Sequence, residues 1–157
     1  MRGPAVIDTA DFDRKVRVTI AECVTERGAV PALSEVAVRI AASENDVSDA
    51  FGRLAAARVM ILRPGTTDIL SFNPFAAGPT DFTVRSAGRD WWGLCAWDAF
   101  GIPAALGSDG VVQGACADGC GVPLEVRLAG DAVGALDGVV LGFALPAREW
   151  WKDIIFT

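Results

Sequence analysis

One short segment, residues 90–98, holds most of the side chains that could carry out chemistry. Its sequence, Asp-Trp-Trp-Gly-Leu-Cys-Ala-Trp-Asp, places Cys95 and Asp98 beside three of the five tryptophans. On a helix, residues three apart share a face, so the thiol and the carboxyl would be neighbours. The helix dipole favours a thiolate, the nearby carboxylate disfavours it, and an apolar pocket raises the pKa of the carboxyl. The pair could therefore hold one proton and pass it to a substrate.

Structural interpretations of the cysteines are also open. A free cysteine is commonly a small core hydrophobe, and the aspartate of such a pair can be a cap or a surface group. Cys116 and Cys120 lie in Cys-Ala-Asp-Gly-Cys-Gly, where two thiolates could bind a soft metal ion. With no histidine and no second cysteine pair, a closed tetrahedral zinc site is unavailable there, and a structural turn is the alternative.

Composition excludes several classes of function. The 157 residues contain no histidine, which removes Ser-His-Asp and Cys-His catalysis. Apolar residues make up 52% of the chain, as in a globular protein of one domain or two small ones. A net charge of −6 argues against nucleic acid as a partner. We find neither a signal peptide nor an apolar run of about 20 residues, so we expect a cytoplasmic protein with reduced thiols and no membrane partner.

Residues 1–72 are predicted to form a winged-helix-like region of three helices and a hairpin. The first helix is capped by Asp8 or Thr9, the second by Ser34 and the third by Ser43, and strands follow at 59–62 and 69–72. Such a region binds DNA through its third helix or serves in packing or dimerisation. The third helix begins with acidic residues, which would repel phosphates and favour the second interpretation.

Residues 73–157 are predicted to form a small mixed or antiparallel sheet with one active-site helix, which makes the fold class α+β. We expect Asp90 to cap that helix, which would run over 91–100 and end at Gly101-Ile102-Pro103. Strands are predicted around Val84 and at 111–112, 124–128, 139–145 and 154–156.

Residues 92–103, Trp-Gly-Leu-Cys-Ala-Trp-Asp-Ala-Phe-Gly-Ile-Pro, resemble the active-site helix of the alkylmercury lyases, the organomercurial lyase family. Three weaker similarities accompany it: the Asn-Pro-Phe linker at 73–75, the segment 116–124, and Trp-Trp-Lys-Asp-Ile-Ile-Phe-Thr at 150–157. The resemblance extends from about residue 33 onward, and its Cys-Ala-Trp-Asp core with the Gly-Ile-Pro stop is the most specific part.

The resemblance implies protonolysis of a carbon–mercury bond, which gives a hydrocarbon and Hg(II) without an organic cofactor. In that scheme Cys95 is the mercury-binding thiolate and Asp98 is the proton carrier. Trp92 and Trp97 would line an apolar pocket for the organic group. The substrate would be a small organomercurial, and the family implies a mercuric reductase as the partner that receives the product.

The resemblance also implies a second active-site thiolate immediately after Phe156-Thr157, and a last strand and helix beyond it. The sequence therefore predicts either a shortened product or a protein that has lost full lyase activity, with Cys116 or Cys120 as a replacement thiol. Three functions compete. They are a lyase, which we favour, a non-catalytic or divergent binder of a soft metal or small ligand on the same scaffold, and a winged-helix regulator.

Overall fold

The computed structural model describes residues 8–116, 120–130, 132–134, 138, 140–143, 145–152 and 154. The chain divides into two compact units between Asn73 and Pro74. Within the described residues, helices are followed by antiparallel strands, and the predicted α+β class is confirmed. No helix in this part of the chain is long and apolar enough to cross a membrane.

Helices dominate the first unit. Its elements, in the described residues, are α1 (Thr9–Arg27), α2 (Leu33–Ile40), α3 (Glu44–Ala56) and the antiparallel strands β1 (Met60–Leu62) and β2 (Ile69–Phe72). Asp8 caps α1 and Ser43 caps α3, as predicted. The start of α2 differs from the prediction, because Glu35 accepts a hydrogen bond from the Ala32 N–H and fixes Ala32 as the cap.

The core of the first unit is built from the apolar stripe of each helix. These stripes are buried as their three- and four-residue spacing predicts. The fully or nearly fully buried side chains are Val16, Ile20, Cys23, Val24, Val36, Ala37, Ile40, Val47, Ala50, Phe51 and Leu54. Arg53, a basic residue of α3, forms a two-pronged ion pair with Asp13 of α1. The Arg53 guanidinium is therefore paired with a carboxylate, whereas in a DNA-binding third helix such a cation would contact phosphates.

The second unit is an antiparallel sheet with one α-helix. Its described elements are β3 (Phe75–Ala76), β4 (Phe82–Ser86), β5 (Arg89–Gly93), α4 (Ala96–Leu106), β6 (Gly110–Ala115), β7 (Pro123–Ala129), β8 (Ala132–Val133) and a 3-10 helix (Ala147–Lys152). The strand order of the sheet is β5-β4-β6-β7-β8. Strand β5 therefore lies at one edge, and α4 follows it directly along the chain.

The prediction of a helix over 91–100 is wrong for the first half of that range. Trp91 and Trp92 belong to β5, which pairs with β4 through a two-residue turn at Ala87-Gly88. Both turn residues have positive φ, 49° and 73°, as a type I′ hairpin requires. Asp90 is consequently not a helix cap and instead pairs with Arg85 across the hairpin. Aromatic side chains favour strands, and this preference prevails here over the helical interpretation.

The C-terminal end of α4 also differs from the prediction. Pro103 does not end the helix, which continues to Leu106 and closes at Gly107 with a left-handed φ of 61°. Pro103 is buried, and Gly110 approaches its ring so closely that a Cβ at Gly110 would lie 2.4 Å from the proline Cγ. Packing on the sheet thus holds a helix that proline alone would interrupt.

The last predicted strands are only partly covered by the described residues. Within 139–145, residues 140–143 form no strand, and 139 and 144 lie outside the described residues. Within 154–156, Ile154 lies in a turn and the other two residues are not among those described. Apolar runs of this kind predict burial, but Val140 is 87% exposed, so the pattern was not that of a packed strand.

Helix α4 packs so closely against the sheet that the strand has no room for a side chain at the point of contact. A Cβ at Gly93 would stand 2.6 Å from the Ala99 backbone nitrogen. On the same face, Trp91 is buried, contacts the Phe75 ring at 5.2 Å and donates its indole N–H to the Ser86 carbonyl at 2.9 Å. The first turns of α4 are therefore fixed to the end of β5.

We expect Gly93→Ala to destabilise the protein by about 2 kcal/mol, because overpacking forces the backbone of α4 away from β5. Urea denaturation measures the change. Gly78→Ala is the matched control, since a Cβ there meets nothing within 4 Å. Equal stability of the two variants would contradict this account of how α4 is held.

Candidate active site

The junction between β5 and α4 sets the position of Cys95. The Thr80 hydroxyl donates to the Gly93 carbonyl at 2.6 Å, which fixes the end of the strand. Two residues later Cys95 has extended backbone angles, φ −141° and ψ 177°, and is the N-cap of α4. The thiol therefore stands at the positive end of the helix dipole, one turn earlier in the helix than the sequence predicted.

Cys95 and Asp98 occupy the N-cap and the third helical position of α4, which are the two positions of a capping box. Asp98 is the third residue of α4, and the backbone N–H groups of Leu94 and Cys95 act on its carboxyl and favour the ionised form. The Cys95 sulfur faces the N–H groups of Trp97 and Asp98, although it makes no side-chain capping hydrogen bond of its own. In a capping box a serine or threonine hydroxyl occupies this position. Here a thiol replaces the hydroxyl and an aspartate replaces the usual glutamate.

The sequence contains the signal for this arrangement. A cap residue followed three positions later by an acid is the spacing of a capping box, and Cys-x-x-Asp has that spacing. The prediction of proximity between the two side chains followed from helical spacing alone. It placed both inside the helix, whereas Cys95 precedes the first helical residue.

Burial controls the protonation of Asp98. Loss of water raises the pKa of its carboxyl from 3.8 to about 6, against the opposing hydrogen bonds from the Leu94 and Cys95 N–H groups. The carboxyl is thus mainly ionised at neutral pH. It nevertheless accepts a proton far more readily than an exposed aspartate does.

Burial also raises the pKa of the Cys95 thiol. The backbone N–H groups of Asp98 and Trp97 oppose this shift, while the negative charge of Asp98 adds to it. Among the described residues, no cationic side chain contributes to either shift, in contrast to cysteines activated by a neighbouring base or cation. At neutral pH the site therefore holds a thiol next to a carboxylate, with one transferable proton between them.

The two tryptophans predicted to line the pocket lie in different places. Trp97 is the second residue of α4, between Cys95 and Asp98, and its side chain is 60% exposed. Trp92 lies between Trp91 and Gly93, whose side of β5 faces α4. Because side chains alternate along a strand, Trp92 is directed to the opposite face of the sheet. The structure thus brings Trp97, but not Trp92, to the side of the sheet that carries the cysteine and the aspartate.

Cys116 and Cys120 lie in the chain between β6 and β7. The Cys116 N–H donates to the Val122 carbonyl at 2.9 Å, and its side chain is half-buried, whereas Cys120 is exposed. In the described part of the chain, no group of three or more cysteine and acidic side chains has the arrangement of a metal site. A role for either thiol beside Cys95 stays a prediction. Cys23 is buried in α1, as expected for a core residue.

Asp98→Asn should change the pH dependence of stability. The folded protein binds the Asp98 proton more tightly than the unfolded chain does, so this group's stabilisation is complete below pH 3.8 and is lost as pH rises through about 6. Asparagine cannot ionise. We therefore expect the variant to gain about 1 kcal/mol over the wild type between pH 4 and pH 8 in urea denaturation, a value reduced for solvent screening. A constant difference across this range would contradict the raised pKa.

Comparison with solved structures supports the fold. One similar chain, described as "Crystal structure of the mercury-bound form of MerB2", superposes with a TM-score of 0.60 at 20% sequence identity. The match covers 82% of this chain and 66% of that one, so the chain spans just under two thirds of the relative's length. No match is found among the curated proteins.

Comparison with family models supplies the classification. The model of the alkylmercury lyases, MerB, matches residues 75–156, which is just over half of the chain. The matched region contains β4, β5 and α4, and with them Cys95 and Asp98. The chain belongs to the alkylmercury lyase family.

Proposed function

We propose that this protein cleaves the carbon–mercury bond of organomercurials by protonolysis, with Cys95 as the mercury ligand and Asp98 as the proton carrier. The observation that carries the proposal is the placement of Cys95 at the N-cap and Asp98 at the third position of α4, which holds a soft ligand and a proton acceptor in one helical turn. Membership of a lyase family supports it.

The first step loads mercury onto the thiol. The Cys95 sulfur forms a bond to mercury, and the ligand that accompanied the organomercury ion leaves. The thiol proton moves to the Asp98 carboxylate, which becomes a carboxylic acid. Mercury is a soft metal ion and prefers thiolate sulfur, so binding of mercury overcomes the raised pKa of Cys95.

The second step breaks the carbon–mercury bond. The protonated Asp98 donates its proton to the carbon, and the electron pair of the carbon–mercury bond becomes the new carbon–hydrogen bond. A hydrocarbon leaves, Hg(II) stays on the Cys95 sulfur, and Asp98 returns to the carboxylate. No oxidant or reductant takes part, because the mercury is Hg(II) before and after the step.

The pKa of Asp98 suits both halves of this cycle. A general acid or base works best when its pKa lies near the operating pH, and a value of about 6 lets one carboxyl first accept and then donate a proton near neutrality. An aspartate with its ordinary value of 3.8 would hold the proton too weakly to take it from a thiol. Burial at the start of α4 is therefore the source of the proposed activity.

Release of Hg(II) calls for a second soft ligand. We propose that Cys116 or Cys120 supplies it when no other thiol is present, or that a mercuric reductase in the cytoplasm withdraws the ion directly. A thiol exchange of this kind proceeds without a change in oxidation state, since one sulfur replaces another on the metal.

Replacement of either proposed catalytic residue should abolish most turnover. We expect Cys95→Ser and Asp98→Asn each to lower kcat for release of benzene from phenylmercury by about 100-fold or more. Headspace gas chromatography measures the hydrocarbon. Asp90→Asn is the matched control, because Asp90 is exposed and pairs with Arg85 on the β4–β5 hairpin. Full turnover by Cys95→Ser would refute the proposal.

The pH dependence of kcat/KM should report both groups. Activity is expected to rise with pH through about 6, as Asp98 ionises and becomes able to accept the thiol proton. It should fall again above the raised pKa of Cys95, where the proton is lost to solvent. In Asp98→Asn the rise near pH 6 should be missing from the residual activity. A rise that persists in this variant would assign it to another group.

A second candidate function is a non-catalytic binder of Hg(II) or a small soft-metal ligand on the same scaffold. It requires only the half-buried Cys95 thiol at the start of α4 and no proton transfer by Asp98. The binder predicts protection of the Cys95 thiol from alkylation by one equivalent of Hg(II), with no hydrocarbon released from phenylmercury. Stoichiometric protection together with catalytic release of benzene would exclude it.

A further inference from the structure

Three aromatic side chains form a row that begins at Trp97, and we call them the aromatic row. The rings of Trp97 and Phe143 meet edge to face, with centroids 6.2 Å apart and an interplanar angle of 66°. Phe143 in turn contacts Trp150, at 4.9 Å and 36°. Both spacings lie in the range of attractive aromatic contacts.

The far end of the aromatic row is held in place. The Trp150 indole N–H donates to the Leu145 carbonyl at 2.8 Å, which ties the 3-10 helix to the segment before it. Phe143 lies between this fixed ring and Trp97, so contacts on two sides orient it. A row ordered in this way can receive a ligand with little further loss of side-chain entropy.

The near end of the aromatic row is open to solvent. Trp97 is 60% exposed and Phe143 is 38% exposed, and the neighbouring Leu141 is 44% exposed. Large apolar groups exposed together are unusual on a soluble surface and commonly mark a binding site. The backbone N–H of Trp97 acts on the Cys95 thiol, so the residue at the near end of the aromatic row adjoins the proposed mercury ligand in the first turn of α4.

We propose that the aromatic row binds the aryl group of an arylmercury substrate and makes the protein selective for aryl over small alkyl mercurials. The proposal rests on the proposed function and adds Phe143 and Trp150 as specificity-determining residues. In a mercurial bound to Cys95, the organic group stands only two bonds from the sulfur, and Trp97 follows Cys95 by two residues at the start of α4. A phenyl ring can stack on or meet the edge of Trp97 and Phe143, whereas a methyl group offers no such contact.

The test compares two substrates, phenylmercury and methylmercury, in Phe143→Leu and Trp97→Leu. We expect each variant to lower the ratio of kcat/KM for phenylmercury to that for methylmercury by about fivefold, the size of one aromatic contact. Leucine keeps the position apolar, so the change reports the ring. Val133→Ala, an exposed apolar residue on β8 at the other edge of the sheet, is the control and should keep the wild-type ratio.

A measurement of mercurial binding to the Cys95 thiol distinguishes failure of this proposal from failure of the proposed function. Phenylmercury and methylmercury compete for Cys95 in the presence of a small thiol, and alkylation of Cys95 followed by mass spectrometry gives the relative affinities without any turnover. An aryl preference that falls about fivefold in both variants supports the aromatic row even if no hydrocarbon is released. If both variants keep the wild-type ratio of affinities for phenylmercury and methylmercury, the proposal for the aromatic row is overturned. Trp97→Leu alters an exposed side chain, so the test survives if Phe143→Leu fails to fold.

Discussion

Close approach of α4 to the end of β5 is the constraint on which the rest of the second unit depends. It exists because Gly93 has no side chain where the backbone of Ala99 passes, and because Gly110 leaves room for the Pro103 ring. The two glycines lie on different strands of one sheet, so together they fix both ends of the helix. These contacts set the axis of α4 and therefore the position of its first turn. The positions of Cys95 and Asp98 follow, because both residues belong to that turn.

The electrostatics of the site follow from that packing. Half-burial at the helix start withdraws water from a thiol and a carboxyl together, and the described surroundings contribute no compensating cation. Such a site disfavours charge on both groups, unlike the thiolate–cation pairs of many cysteine enzymes. In the proposed function, a metal that binds sulfur covalently would supply the missing driving force. The chemistry of the proposed substrate would thus complement what the protein leaves unfavourable.

The sequence allowed the proximity of Cys95 and Asp98 to be predicted but not the element that carries it. Periodicity and caps were sufficient for α1 and α3, because those helices bury regular apolar stripes. The hairpin before α4 was missed, since its turn is Ala87-Gly88 and lacks the asparagine or aspartate that usually marks a type I′ turn. Phe143 gave no local signal, because its contact with Trp97 joins residues far apart in the chain.

The carboxyl of Asp98 also stabilises the start of its own helix. When ionised, it interacts favourably with the backbone N–H groups of Leu94 and Cys95, and interactions of this kind are stronger for a charged acceptor than for a neutral one. Each time it takes up a proton, that interaction weakens at the proposed mercury ligand. In the proposed cycle the helix terminus would therefore loosen while mercury is loaded onto the sulfur, and it would tighten again when the proton passes to the departing carbon.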